Sequence, residues 1–553
     1  MLIQAPSILA RCLDIPGGFP ASCRMKQGQA RWFAGVLGAV VSSMCCTCSK
    51  EAEPEPELSG PLAPVTWQPC PVDSEGTGSG AECAEISLPV SHRDRDGKTF
   101  TLFVKRLVGT AAKRRQLWLL AGGPGNAGTT YEVVAKRLAD LDPTLDIYMP
   151  DHRGTGRSMR LSCPGEPEKR PRTVDDWKAC GEDLQKRLGD QLLEFNITSA
   201  ARDLGAAIEG TRTAGQEVHV FGESYGSLWA QRYLQLFPTQ PTSVTLDSMC
   251  QTSLCSHVTR DARNDRVGRE VLARCAADPF CAGKLGPDPA ARLSDLLADL
   301  EADACPALVD LGMDREGARS RFAEMLESFT LRPLIPALIY RGLRCELGDV
   351  AAYEAFLAYM DGGGGSAPSR PVDGKLRSRA LGTHIILSEM VQAKPPSQEE
   401  LEAMQAAALF SYDIGPFYRS LFDVWPRYAR DDYTDRYPST SVPILMMNGT
   451  LDPISSIDIA QEIAGHYQGP AQTFVPLDRG VHGSLAGTPT VAPPHTSCGF
   501  TLFRSFLADV KAPVDTACVA EVQPLDFRGD EGFALEVFGA PDLWDDAVNP
   551  PPQ

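Results

Sequence analysis

A serine hydroxyl is a poor nucleophile until its Oγ is exposed and a base can reach it. Three residues of this chain have the types and the chain order to meet both needs: Ser224, Asp452 and His482. Ser224 is the apex of Gly222-Glu223-Ser224-Tyr225-Gly226. An alternating β-type run from Val218 leads into this stretch and a helical pattern continues to about Phe237. Strand, sharp turn and helix together would force the serine out of the top of a sheet. Gly222 and Gly226 are needed because side chains there would collide with the neighbouring strand and helix. The five-residue pattern alone is a weak signal in a glycine-rich chain; the strand before it and the helix after it give it weight.

The base and its acid follow by elimination. Of eight histidines, His92, His152 and His219 precede the turn, His257 and His384 fall in a long helical stretch, and His466 lies in a helix before the last strand. His482, on the loop after that strand, is preferred over His495. Asp452 stands just past a buried strand and is favoured over Asp478, which is too close in sequence to His482 to reach its far side. Serine, then acid, then histidine is the order of α/β-hydrolases. The chemistry would be acyl transfer. His482 takes the Ser224 proton as Oγ attacks a carbonyl carbon, then protonates the leaving group, and water hydrolyses the acyl-enzyme. The N–H groups of Tyr225 and Gly123 would hold the oxyanion, on the order of 3 kcal/mol per donor. Gly123 belongs to the glycine run Ala121 to Gly128, which lets a ligand atom approach backbone N–H groups closely. No metal or organic cofactor is required.

These residues need a scaffold that puts three distant loops at one edge. Ile86 to Val90 and Phe100 to Leu107 alternate as antiparallel edge strands, whereas Leu117 to Leu120 is a continuous apolar run typical of a buried central strand. Leu145 to Met149, Val218 to Phe221, Ser243 to Leu246, Pro443 to Met447 and Thr473 to Pro476 read as further strands alternating with helices. That alternation predicts a doubly wound, mostly parallel sheet, with functional groups on the loops at the carboxyl ends of the strands. Asp151 and Arg153, in the turn Asp151 to Ser158, are expected to brace those loops; the turn lacks the ending of a phosphate loop, so nucleotide binding is rejected. Between the strands near Ser243 and Pro443 the patterns are helical, clearest at Arg319 to Ser328, Val350 to Met360 and Gln398 to Phe410. A helical insertion there is a cap. The expected organisation is signal and linker over 1–60, core over 61–249, cap over 250–437, core again over 438–525, and a tail over 526–553.

A formal charge of −18 argues against nucleic acid and against an anionic membrane surface as partners. Basic residues from Met25 to Arg31, an apolar run from Trp32 to Met44, then Cys45, Cys46 and Cys48 and a Glu/Pro-rich linker read as an export signal. Met25 is an alternative start. The chain is expected in a bacterial cell envelope as a lipoprotein, or secreted, touching membrane only through an amino-terminal lipid anchor. Setting aside Cys12, Cys23, Cys45, Cys46 and Cys48 leaves 12 of the 17 cysteines, an even number suited to disulfides. Proximity pairs Cys70 with Cys83, Cys163 with Cys180, Cys250 with Cys255, Cys275 with Cys281 and Cys498 with Cys518, leaving Cys305 and Cys345.

Gly122-Gly123-Pro124-Gly125, the stretch Asp151 to Ser158, Gly222 to Gly226 and Gly449-Thr450-Leu451-Asp452-Pro453 together resemble the prolyl and tripeptidyl aminopeptidase family of α/β-hydrolases. Cys498-Gly499-Phe500 to Cys518 and Trp425-Pro426 resemble its exported tripeptidyl aminopeptidase branch, and the likeness runs from about Trp67 to Cys518. Ala121 departs from the histidine that prolyl aminopeptidases carry there. The resemblance implies a serine exopeptidase acting on peptides with a free amino terminus, the cap binding the amine. Ile385 to Met390 resembles a family stretch in which a glutamate faces the site, which makes Glu389 the candidate partner of the substrate ammonium. An esterase or amidase of the same fold, and a catalytically silent surface binding protein, are the competing readings.

Overall fold

The computed structural model describes residues 64–545 apart from 95–96, 167–170, 363, 365–370 and 493–495. The expected signal, Cys45 and the acidic linker, and with them His495, lie outside the described residues. Nine strands form one sheet: β1 (Gln68–Cys70), β2 (Ala81–Pro89), β3 (Thr99–Leu107), β4 (Arg115–Leu120), β5 (Leu145–Pro150), β6 (Val218–Glu223), β7 (Ser243–Asp247), β8 (Ile444–Gly449) and β9 (Gln472–Leu477). Their spatial order is β1-β2-β3-β5-β4-β6-β7-β8-β9. β1, β2, β3 and β5 pair antiparallel, and every pairing from β5 across to β9 is parallel. Leu117 to Leu120 in β4 and Ile444 to Met447 in β8 are completely buried because helices cover both faces, so no position is left for a polar alternation. β4 lies between β5 and β6, so the winding direction reverses there. In a doubly wound sheet that reversal opens a crevice at the strand ends. Gly122 and Ser224 leave the sheet at that point.

Between β7 and β8 the chain is helical, including Arg260–Ala277, Arg315–Met325, Ile335–Arg344, Leu347–Asp361 and Gln398–Ala407. This segment has an apolar core of its own, built on Leu293, Leu296, Phe322, Leu338, Ile339 and Phe356. Residues 526–545 join that core, which corrects their reading as a tail. Phe527, Val537, Phe538 and Trp544 are buried in it, and Arg341 donates to the carbonyls of Leu543 at 2.7 Å and Asp542 at 2.8 Å. Their apolar side chains have nowhere else to be hidden from water. The helix Ile457–Ala464 stops short of His466, which stacks on Tyr437 in the following turn. All five proximity pairs are disulfides, and Cys305 bonds to Cys345. Among the described residues no helix is long and apolar enough to cross a membrane.

Candidate active site

β6 ends at Glu223, and Ser224 turns the chain at φ 57°, ψ −125° into the helix Tyr225–Leu236. A serine at positive φ is strained, and its neighbours hold it there. Its N–H donates to the Asp247 carbonyl at 2.9 Å, and its own carbonyl accepts the Ser227 hydroxyl at 2.7 Å. A Cβ on Gly222 would lie 2.2 Å from the Gly226 carbonyl oxygen, and one on Gly226 would lie 2.1 Å from that of Leu120. The two motif glycines are therefore steric necessities. A Cβ on Gly122 would sit 3.7 Å from Ser224 Oγ, so the glycine loop after β4 passes beside the hydroxyl, with Gly123 next in line at φ 115°. The N–H of Tyr225 lies in the first turn of its helix, where no preceding turn supplies an acceptor. The Tyr225 ring is buried, and its hydroxyl is 2.9 Å from His152 Nε2. His152 Nδ1 faces the Arg153 carbonyl at 2.7 Å and so carries the proton, which leaves Nε2 to accept from Tyr225. Burial depresses the His152 pKa to about 4, which keeps the ring neutral.

The expected bracing is present. Asp151 accepts the N–H groups of Gly128 at 2.9 Å and Arg157 at 2.8 Å. Arg153 forms a two-pronged pair with Asp203 at 2.6 and 2.7 Å.

On the far loops, His482 Nδ1 lies 2.8 Å from Asp452 Oδ2. The other Asp452 oxygen accepts the N–H groups of Ile454 at 2.8 Å and Ser455 at 2.9 Å. A carboxylate can only accept, so Nδ1 carries the proton and Nε2 is left as the basic nitrogen. Burial by itself would lower the His482 pKa. The Asp452 charge and hydrogen bond outweigh burial, the Glu223 and Glu327 carboxylates add to them, and the result is a pKa raised to about 9. Asp478 is engaged elsewhere, by Arg274 at 3.1 Å and Arg479 at 2.7 Å.

Two contributions escaped the sequence reading. Arg263, buried at the start of the cap, donates to the Ile454 carbonyl at 3.0 Å and to that of Ser256 at 2.8 Å, and so pins the Asp452 loop. Nothing in its helical surroundings distinguishes it from a solvated arginine. Asp247 ends β7 in register with Glu223. An acid at the carboxyl end of a central parallel strand was the available signal.

Glu389 is a correction. It is 1% exposed, in a single wide turn over Ile386–Met390, and accepts from Arg232 Nη2 at 2.7 Å, Tyr428 Oη at 2.9 Å and Thr434 Oγ1 at 3.1 Å. Its charge is already spent on a buried arginine, so it is not presented to a substrate ammonium. Glu389→Ala would take the closer of two carboxylates from the buried Arg232, leaving Asp431 at 3.5 Å. Urea unfolding is expected to show a loss of about 3–5 kcal/mol, with KM of the folded enzyme unchanged. A selective rise in KM for free-amine substrates at unchanged stability would restore the ammonium role.

Comparison with known proteins bears on the core. A family model described as the alpha/beta hydrolase fold matches residues 117–269. No curated protein sequence matches the chain. Among solved structures the chain is similar to the serine hydrolase CCSP0084 from Cycloclasticus zankles, with 12% identity, 72% of this chain and 91% of that chain covered, and a TM-score of 0.30. It is also similar to Rv0554 from Mycobacterium tuberculosis, with 14% identity, 72% and 91% covered, and a TM-score of 0.32. A thermophilic esterase from Thermogutta terrifontis has 15% identity, 77% and 99% covered, and a TM-score of 0.30.

Proposed function

We propose that this chain, which has the α/β-hydrolase fold, is a serine hydrolase and, more narrowly, an aminopeptidase that releases short amino-terminal fragments from peptides. Ser224 is the nucleophile, His482 the base, Asp452 its acid, and the N–H groups of Gly123 and Tyr225 the oxyanion donors. The observation that carries the hydrolytic reading is the 2.8 Å His482–Asp452 pair on loops at the same strand ends as the strained Ser224 turn. The choice of an ammonium-bearing substrate is supported by the resemblance of Gly122 to Gly125, Asp151 to Ser158, Gly222 to Gly226 and Gly449 to Pro453 to the prolyl and tripeptidyl aminopeptidases. Six disulfides fit export to an oxidising compartment.

The test is hydrolysis of fluorogenic peptide amides of one to three residues, with and without proline. Each is presented with a free and with an acetylated amino terminus, beside simple esters. Among the peptide amides, cleavage confined to free amino termini is the expected result and reads out the fragment length. Equal cleavage of acetylated peptides, or of esters alone, replaces the aminopeptidase reading with that of an esterase or amidase.

A further inference from the structure

The three backbone N–H groups that follow His482 are all taken by side chains at the end of β7. Gly483 donates to Ser248 Oγ at 2.8 Å, Ser484 to Asp247 Oδ1 at 3.0 Å and Leu485 to Asp247 Oδ2 at 2.7 Å. Ser248 adopts φ 48°, the left-handed turn from which its hydroxyl meets Gly483. The carbonyl of the same Asp247 accepts the N–H of Ser224. Asp247 and Ser248 are wholly buried, so these contacts are shielded from competing water. A loop is the least rigid support for a catalytic base, and productive geometry tolerates displacements of only about 0.5 Å. One rigid strand end therefore holds both the strained turn of Ser224 and the loop of His482.

The geometry points to Asp247 as a positioning residue of the hydrolytic site, setting the separation of Ser224 and His482 independently of the cap. This rests on the serine-hydrolase reading above. Asp247 also has an electrostatic role that a purely structural anchor would lack. It faces Glu223 on β6, His482 on its loop and Tyr131 from the turn after β4, while Asp452 acts on Glu223 and His482 and Glu327 reaches His482 from the cap. Burial, then Glu223, push the Asp247 carboxyl up to about 7 against the pull of its hydrogen bonds with Leu485 and Ser484 and of His482. Burial pushes the Glu223 carboxyl up as well, so each of the two acids holds its proton more readily than a free carboxyl. An asparagine at 247 keeps the shape, turns one amide acceptor into a donor and removes negative charge near the imidazole.

Turnover of 4-nitrophenyl acetate, a substrate too small to engage the cap, is compared across pH for the wild type, Asp247→Asn and Ser248→Ala. Asp247→Asn is expected to lose about 100-fold in kcat with KM nearly unchanged, and to move the pH midpoint of kcat/KM downward. Ser248→Ala, which deletes one neutral contact of three, is expected to lose about tenfold with the midpoint in place. A folded Asp247→Asn enzyme with kcat within about twofold of the wild type and the same midpoint overturns the inference. If that variant does not fold, Ser248→Ala decides by the same kcat threshold. A wild type that neither turns over the ester nor reacts with a fluorophosphonate overturns the serine-hydrolase reading, and the inference with it.

Discussion

Ser224→Ala is expected to lower kcat/KM by about 10⁴- to 10⁶-fold on every substrate the wild type cleaves, and to abolish labelling by a fluorophosphonate. The loss is large because the hydroxyl forms the covalent intermediate and no neighbouring group can replace it. The stretch Gly122 to Gly125 beside it carries no hydroxyl or thiol, and the next hydroxyl along the helix, Ser227, is turned back onto the Ser224 carbonyl at 2.7 Å. Alanine keeps the Cβ and the same positive φ, so the strain of the turn is unchanged and stability should move by less than about 1 kcal/mol. Intact-mass measurement after fluorophosphonate treatment, with the thermal midpoint as a control, checks both halves. A variant that is still labelled, or retains more than about 1% of activity, removes Ser224 from the mechanism.

The second large effect is at the acid. In the wild type the base must be neutral, and its pKa is raised to about 9. The rate therefore rises with pH through that region. In Asp452→Asn, burial, which lowers the imidazole pKa, loses its main opponent, and the midpoint should fall toward or below the ordinary histidine value of about 6.5. The rate should not recover with it. An asparagine amide placed at 2.8 Å from Nδ1 favours the tautomer with the proton on Nε2, which removes the base, and kcat should drop by about 10⁴-fold. Asp478→Asn is the control: its oxygens bind Arg274 and Arg479, and neither the midpoint nor kcat should shift. An Asp478→Asn effect as large as that of Asp452→Asn would exchange their roles.

Local pattern was enough for the serine turn, the strand type and the helical nature of the insertion. Gly222, Ser224 and Gly226 announce a strand–turn–helix because the clash that demands glycine at 222 is with Gly226, four residues on, although the one at 226 is with Leu120 on the neighbouring strand. Continuous apolar runs such as Leu117 to Leu120 announce burial on both faces because each residue carries its own hydrophobicity. His482 and Asp452 were legible one step further out, from their places after successive buried strands. What failed or was missed depended on distant partners. The stretch around Glu389 carries no trace of Arg232, 157 residues away, whose buried charge takes its carboxylate. Asp247 meets Ser484 and Leu485 across 237 and 238 residues. Residues 526–545 read as a tail because their partners, Arg341 among them, lie some 200 positions earlier. Sequence alone determined the sheet and the serine turn at its edge, since propensity, burial and turn sterics act within a few residues. Which charges end up paired, and which strand end holds the base, was decided only when folding made neighbours of segments far apart in the chain.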